Sequence, residues 1–82
     1  MKHTIIIEKK AKKFIAAQPK NQQERILLAI YKLPLGDIKA LQAVKDVFRL
    51  RVGNYRIIFT KQNNALTITV IDVGNRGQVY KD

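Results

Sequence analysis

The chain contains no cysteine and no tryptophan among its 82 residues, and serine is also missing. Without cysteine there are no disulfides and no thiolate metal ligands. This fits a reducing compartment, and a cytoplasmic location is expected. Without serine the commonest hydroxyl nucleophile is gone, and no nucleophile elbow, phosphate-binding loop or dinucleotide fingerprint occurs. Histidine occurs once, as His3, and acidic residues number six. Glu8, Glu24, Asp37, Asp46 and Asp72 are scattered, so neither a metal-ligand cluster nor a carboxylate pair is expected. No metal, cofactor or small-molecule substrate is implied. No apolar run approaches the roughly 20 residues that span a bilayer. The three isoleucines of MKHTIIIEKK make too short an apolar core for a secretory signal, and no membrane partner is expected.

What the chain does carry is positive charge. Sixteen Lys and Arg against six acids give a formal net charge of +10. Such a field attracts polyanions: nucleic acid, an anionic surface or an acidic protein. The length suits one domain, residues 1–82.

Residues 2–7, KHTIII, read as a β-branched strand. Beyond Glu8, the residues Ala11, Phe14, Ile15 and Gln18 fall at helical spacing with lysines on the other side. Pro19 ends this helix or begins the next. From Lys20 to Leu33 the stripe Ile26, Leu27, Ile30, Leu33 predicts a second helix, stopped by Pro34 and Gly36. Residues 35–46 read as a connector with Leu41 as its core anchor. The period then changes to two. Val47–Val52 and Tyr55–Lys61 are strands joined by Gly53-Asn54, a two-residue hairpin loop with glycine at the positive-φ position. Gln62-Asn63-Asn64 is a turn, Ala65–Val73 a third strand, and residues 74–77 an irregular loop before Val79-Tyr80. The expected fold is α+β: an N-terminal strand, a two-helix hairpin, then a three-stranded antiparallel meander, with the helices packed on one sheet face and the other face free to be polar.

The hairpin loop sets the register. Val52 faces Tyr55, Arg51 faces Arg56, Leu50 faces Ile57 and Arg49 faces Ile58. Phe48, Leu50, Val52, Tyr55, Ile57 and Phe59 then share the core face. Arg49, Arg51 and Arg56 share the other, with no acid between residues 49 and 61. Opposed like charges on a sheet cost roughly 0.2–1 kcal/mol. A solvated face whose arginine stems cover apolar surface is one reading. An unneutralised cationic set on rigid strands that holds a phosphate is the other. Arg76, in the loop VGNRG, and Tyr80 are further candidates for this face; the other reading makes Arg76 a loop charge and has Tyr80 close the core, and the residues alone favour that reading for Tyr80. RNA supplies its own nucleophile, the 2′-hydroxyl, so a protein need only align it, move protons and offset charge on the phosphate. A metal-independent ribonuclease is chemically open to such a face.

FRLRVGNYRIIF, residues 48–59, together with VIDVGNRGQVY near the C-terminus, resembles the RelE branch of the RelE/ParE toxin superfamily. The element order agrees over nearly the whole chain. The hairpin motif is shared across the superfamily, whereas Val-Gly-x-Arg followed by a tyrosine is closer to RelE-like members. The resemblance implies the toxin of a type II toxin–antitoxin pair, an endoribonuclease that cleaves mRNA in the ribosomal A site without a metal. It implies catalytic roles for Arg49, Arg51, Arg56, Arg76 and Tyr80. Arg56 and Arg76 would stabilise the scissile phosphate, and Tyr80 would orient a base or share a proton. Lys45 and Lys81 would add RNA contacts. The implied partner is an acidic antitoxin that wraps the cationic domain. The best-known members carry lysines where Arg49 and Arg51 stand. Two other readings stay open: a ParE-like gyrase inhibitor, and a basic RNA- or ribosome-binding module without catalysis.

Overall fold

The computed structural model describes residues 4–42, 44–62 and 67–75. Seven elements follow in order: β1 (Thr4–Ile7), α1 (Lys9–Ala16), α2 (Lys20–Tyr31), β2 (Asp37–Ala40), β3 (Val47–Val52), β4 (Tyr55–Gln62) and β5 (Thr67–Asn75). They build one sheet in the order β1-β5-β4-β3-β2. β1 runs parallel to β5, and every other pair is antiparallel. The α+β class holds, with both helices on one face, but the meander has four strands rather than three. The added strand, β2, lies inside the stretch expected to be a connector. Its four residues hold a single large apolar side chain, Ile38, so the local pattern is weak. Pairing with β3 makes it a strand, with Ile38 opposite Leu50 and Lys39 opposite Arg49.

The helices end where their chemistry stops them. Pro19 is the N-cap of α2, and its carbonyl accepts from the backbone N–H groups of Gln22 and Gln23 at 2.9 Å. The second helix stops at Tyr31, two residues before the expected end, and Leu33 still reaches the core from the following turn. Ala11, Ile15, Ile26 and Ile30 from the helices meet Leu50, Val52, Ile57, Phe59, Ile68, Val70 and Val73 of the sheet. Tyr55 completes this face. Its hydroxyl donates to Gln18 Oε1 at 3.0 Å, and its ring meets Phe14 edge-on at 6.2 Å.

The β3–β4 register is the one expected, residue for residue. Gly53 takes φ +58°, and Asn54 is not in the positive-φ region, as in a type II′ hairpin turn. A side chain at Gly53 would also press on Arg25, whose guanidinium carbon lies 3.2 Å from the Cβ position.

β5 departs from simple alternation. Ile58 pairs with Asp72 but Phe59 pairs with Val70, leaving Ile71 as an extra residue in a bulge. The bulge shifts the side-chain phase by one. Ile68, Val70 and Val73 therefore all point to the helices, and Asp72 is kept out of the core. The strand continues to Asn75, so Gly74 and Asn75, expected in a loop, pair with Arg56 and Tyr55. The expected strand residues Lys2, His3, Ala65 and Leu66 lie outside the described residues.

The face away from the helices is not wholly polar. Leu41, Val47 and Ile58 are buried there, with Ile71 packed against them. Leu41 is thus a core anchor as expected, but of this second cluster.

A candidate phosphate-binding face

Antiparallel pairing sets two rows of side chains across the face opposite the helices. One row runs Asp37, Arg51, Arg56, Gly74, and the other runs Lys39, Arg49, Ile58, Asp72. Cβ atoms of direct neighbours in such rows lie about 4.5–5.5 Å apart. The three arginines singled out from the sequence are therefore brought together, and β2 adds a fourth cation. Lys39, Gln42, Arg49, Arg51 and Arg56 line a shallow cleft of about 360 Å³. The Leu41–Val47–Ile58 cluster lies on the same side of the sheet. Arg49 and Arg56 are half-buried, whereas Lys39, Gln42 and Arg51 are exposed. Gly74, which is buried, contributes no side chain beside Arg56.

Arg51 has a partner that the hairpin could not reveal. Its Nε donates to Asp37 Oδ2 at 3.0 Å, across 14 residues of chain. Both side chains are 54% exposed, so the pair contributes at most about 1 kcal/mol. Its consequence is positional, because it ties the edge strand to the arginine row. Asp72, also on this side, is held by Lys10 at 3.1 Å. Among the described residues, Arg49 and Arg56 have no acidic partner, which is where the unneutralised charge is concentrated.

Lys45 sits exposed on the β2–β3 loop and does not line the cleft. Arg76, Tyr80 and Lys81 lie outside the described residues. The sequence pattern does not single out Asp37, Lys39 and Gln42 as site residues. The faint signal is the alternation in Asp37-Ile38-Lys39-Ala40, which puts Asp37 and Lys39 on one side of a strand. No cluster of three His, Asp or Glu side chains with metal-binding geometry occurs among the described residues. The lining offers hydrogen-bond donors and positive charge held on paired strands, suited to a phosphate with several free oxygens.

Asp37→Asn is expected to free Arg51 for such a ligand at little cost in stability. With a single-stranded RNA oligonucleotide, the slope of log K against log salt should steepen by about 0.7, the value of one further phosphate contact. Fluorescence anisotropy over a salt series measures it, and an unchanged slope would show that Arg51 does not reach the nucleic acid.

A family model described as the ParE toxin of the type II toxin–antitoxin system, parDE, matches residues 5–80. The chain belongs to this family. It is a toxin of the RelE/ParE superfamily, and solved structures agree. It is similar to a chain of the archaeal RelE–RelB complex from Pyrococcus horikoshii OT3, with 25% identity and a TM-score of 0.75, covering 96% of this chain and 100% of that one. The RelB–RelE antitoxin–toxin complex from Methanococcus jannaschii gives 29% identity, a TM-score of 0.72 and coverage of 92% and 94%. The isolated E. coli RelE toxin, at 15% identity and a TM-score of 0.68 over 93% of this toxin and 86% of that chain, shares the fold. No curated protein sequence matches this toxin.

Proposed function

We propose that this toxin is a RelE-like endoribonuclease that cleaves mRNA on the ribosome, and that it acts in the cytoplasm. The observation that carries the reading is the cleft itself: four cations on paired strands, three of them (Lys39, Arg49 and Arg56) without an acidic partner among the described residues. In the reaction the 2′-oxygen bonds to phosphorus while the bond from phosphorus to the 5′-oxygen breaks. The products are a 2′,3′-cyclic phosphate and a 5′-hydroxyl. Negative charge grows on the non-bridging oxygens of the transition state. Arg49 and Arg56 are arranged to meet it without reorganising, and Arg51 stands beside them in its ion pair with Asp37. The ribosome would supply what a shallow cleft lacks, a fixed path for the mRNA. Arg76 and Tyr80 belong to the same proposal through the resemblance.

The test is to add the protein to translating ribosomes with a defined mRNA and a chelator selective for transition metals, then map the new ends. Cleavage within the A-site codon supports the proposal. The family model is named for ParE, so gyrase supercoiling is assayed in parallel. Intact mRNA with inhibited supercoiling would establish the ParE-like reading instead. Binding to ribosomes with neither effect would establish a module without catalysis.

The partner in this reading is an acidic antitoxin, in keeping with the +10 charge and with the RelE–RelB complexes among the structural matches. A second groove, of about 410 Å³, lies between α2 and the β2–β3 edge. Leu28 and Leu35 line it at 61% and 72% exposure, with Arg25, Lys32 and Arg51 around them. Apolar side chains among three cations and one acid, Asp37, fit an acidic amphipathic segment of the antitoxin. Leu28→Glu combined with Leu35→Glu should weaken the complex with the product of the adjacent reading frame by at least about 10²-fold, since each buried leucine is worth roughly 1.5–3 kcal/mol. Calorimetric titration measures this, and unchanged affinity would place the antitoxin elsewhere.

A further inference from the structure

Three of the side chains that line the cleft are arginines, one is a glutamine and one is Lys39. Cleavage of an RNA phosphodiester needs a proton delivered to the departing 5′-oxygen, because an alkoxide is a poor leaving group. Arginine holds its protons too firmly for this exchange, and a glutamine amide does not act as an acid near neutral pH. An ammonium group can give up a proton and recover it from water. Of the described residues lining the cleft, Lys39 is therefore the one equipped for proton transfer. Its position fits the task. Lys39 lies opposite Arg49, in the row next to the Arg51–Arg56 pair. Its strand is fastened on both sides of it, by the Asp37–Arg51 ion pair and by the bond from Leu41 N–H to the Val47 carbonyl at 2.9 Å. The side chain is exposed and has no acidic partner among the described residues.

We propose that Lys39 is the general acid of the cleavage reaction. The inference rests on the ribonuclease reading above. As the bond from the 2′-oxygen to phosphorus forms, the 2′ proton passes to water. As the bond from phosphorus to the 5′-oxygen breaks, the Lys39 ammonium donates a proton to that oxygen. A 5′-hydroxyl leaves, and the neutral amine takes a proton back from solvent. The arginines carry charge throughout and exchange no proton. This divides the work between strands: β3 and β4 hold the phosphate, and the edge strand β2 supplies the acid.

The test compares two mRNAs in the ribosome assay, a natural one and one with sulfur replacing the bridging 5′-oxygen at the scissile phosphate. A thiolate leaves without protonation. Lys39→Arg keeps the charge, and Lys39→Ala removes it. Both variants should cleave the natural mRNA at least about 10²-fold more slowly than wild type, yet cleave the sulfur substrate within a few-fold of wild type. Circular dichroism and antitoxin binding should be unchanged, which separates lost chemistry from a lost fold. Equal loss on both substrates would overturn the assignment and leave Lys39 a phosphate contact. Undiminished cleavage of the natural mRNA would overturn it outright. The same sulfur-specific recovery in Tyr80→Phe, and not in the Lys39 variants, would transfer the role to the tyrosine. If wild-type protein cleaves neither mRNA, the ribonuclease reading falls as well, which is distinct from a failure confined to the variants.

Discussion

Arg56→Ala is expected to lower mRNA cleavage by at least about 10²-fold, the usual loss when one preorganised donor to a developing oxyanion is removed. Arg56 lies on β4, the middle strand of the five, between Arg51 and Gly74. It is half-buried and has no acidic partner among the described residues. The guanidinium is therefore aimed by the sheet rather than by an ion pair, and its charge is free for the phosphate. Truncation removes a like charge opposite Arg51, so the fold should be as stable as the wild type or slightly more so. The loss should appear in kcat as well as kcat/KM, since the donor acts on charge present in the transition state. Arg56→Lys should recover part of it, because lysine restores charge without the planar two-pronged geometry. Single-turnover cleavage on ribosomes measures the effect. Cleavage at the wild-type rate would show that the arginine face is not the active site. Arg76→Ala is expected to behave likewise.

Phe59→Ala is expected to cost about 3–5 kcal/mol of folding stability, a large part of the roughly 5–15 kcal/mol typical of a small domain. Phe59 is fully buried, and its ring stacks on Phe48 with centroids 5.6 Å apart. Lys61 lies over the outer ring of this pair, 4.6 Å from the Phe48 centroid. Removal of Phe59 opens a cavity in the middle strand, beneath both helices, where the paired backbone has little room to collapse. Urea denaturation followed by far-ultraviolet circular dichroism should show a much lower midpoint with a similar slope. A loss below about 1 kcal/mol would mean that the core repacks around the gap.

Both residues are legible in the sequence. Arg56 and Phe59 fall on opposite faces by alternation alone, because a two-residue loop with Gly53 at positive φ leaves one register for the strands it joins. That information is local, and it brings Arg49, Arg51 and Arg56 together. The helices are legible for the same reason: Ile26, Leu27 and Ile30 repeat within one element, and Pro19 marks the junction.

The rest depended on partners distant in the chain. β2 has one large apolar residue in four and is a strand because β3 lies beside it. Its pairing brings Asp37 to Arg51, so the arginines are not uniformly free, and brings Lys39 to Arg49, which adds a lysine to the cleft. The bulge at Ile71 arises from the pairing of β5 with β4, and it decides that Val73 faces the helices while Asp72 faces away. A strand's alternation reveals which residues share a face within that strand. Which strand lies alongside, and where its ladder slips, is decided by contacts between segments far apart in sequence. In this chain the sequence by itself determined the cationic hairpin, and the tertiary structure decided which of its charges are held, which are free and what stands next to them.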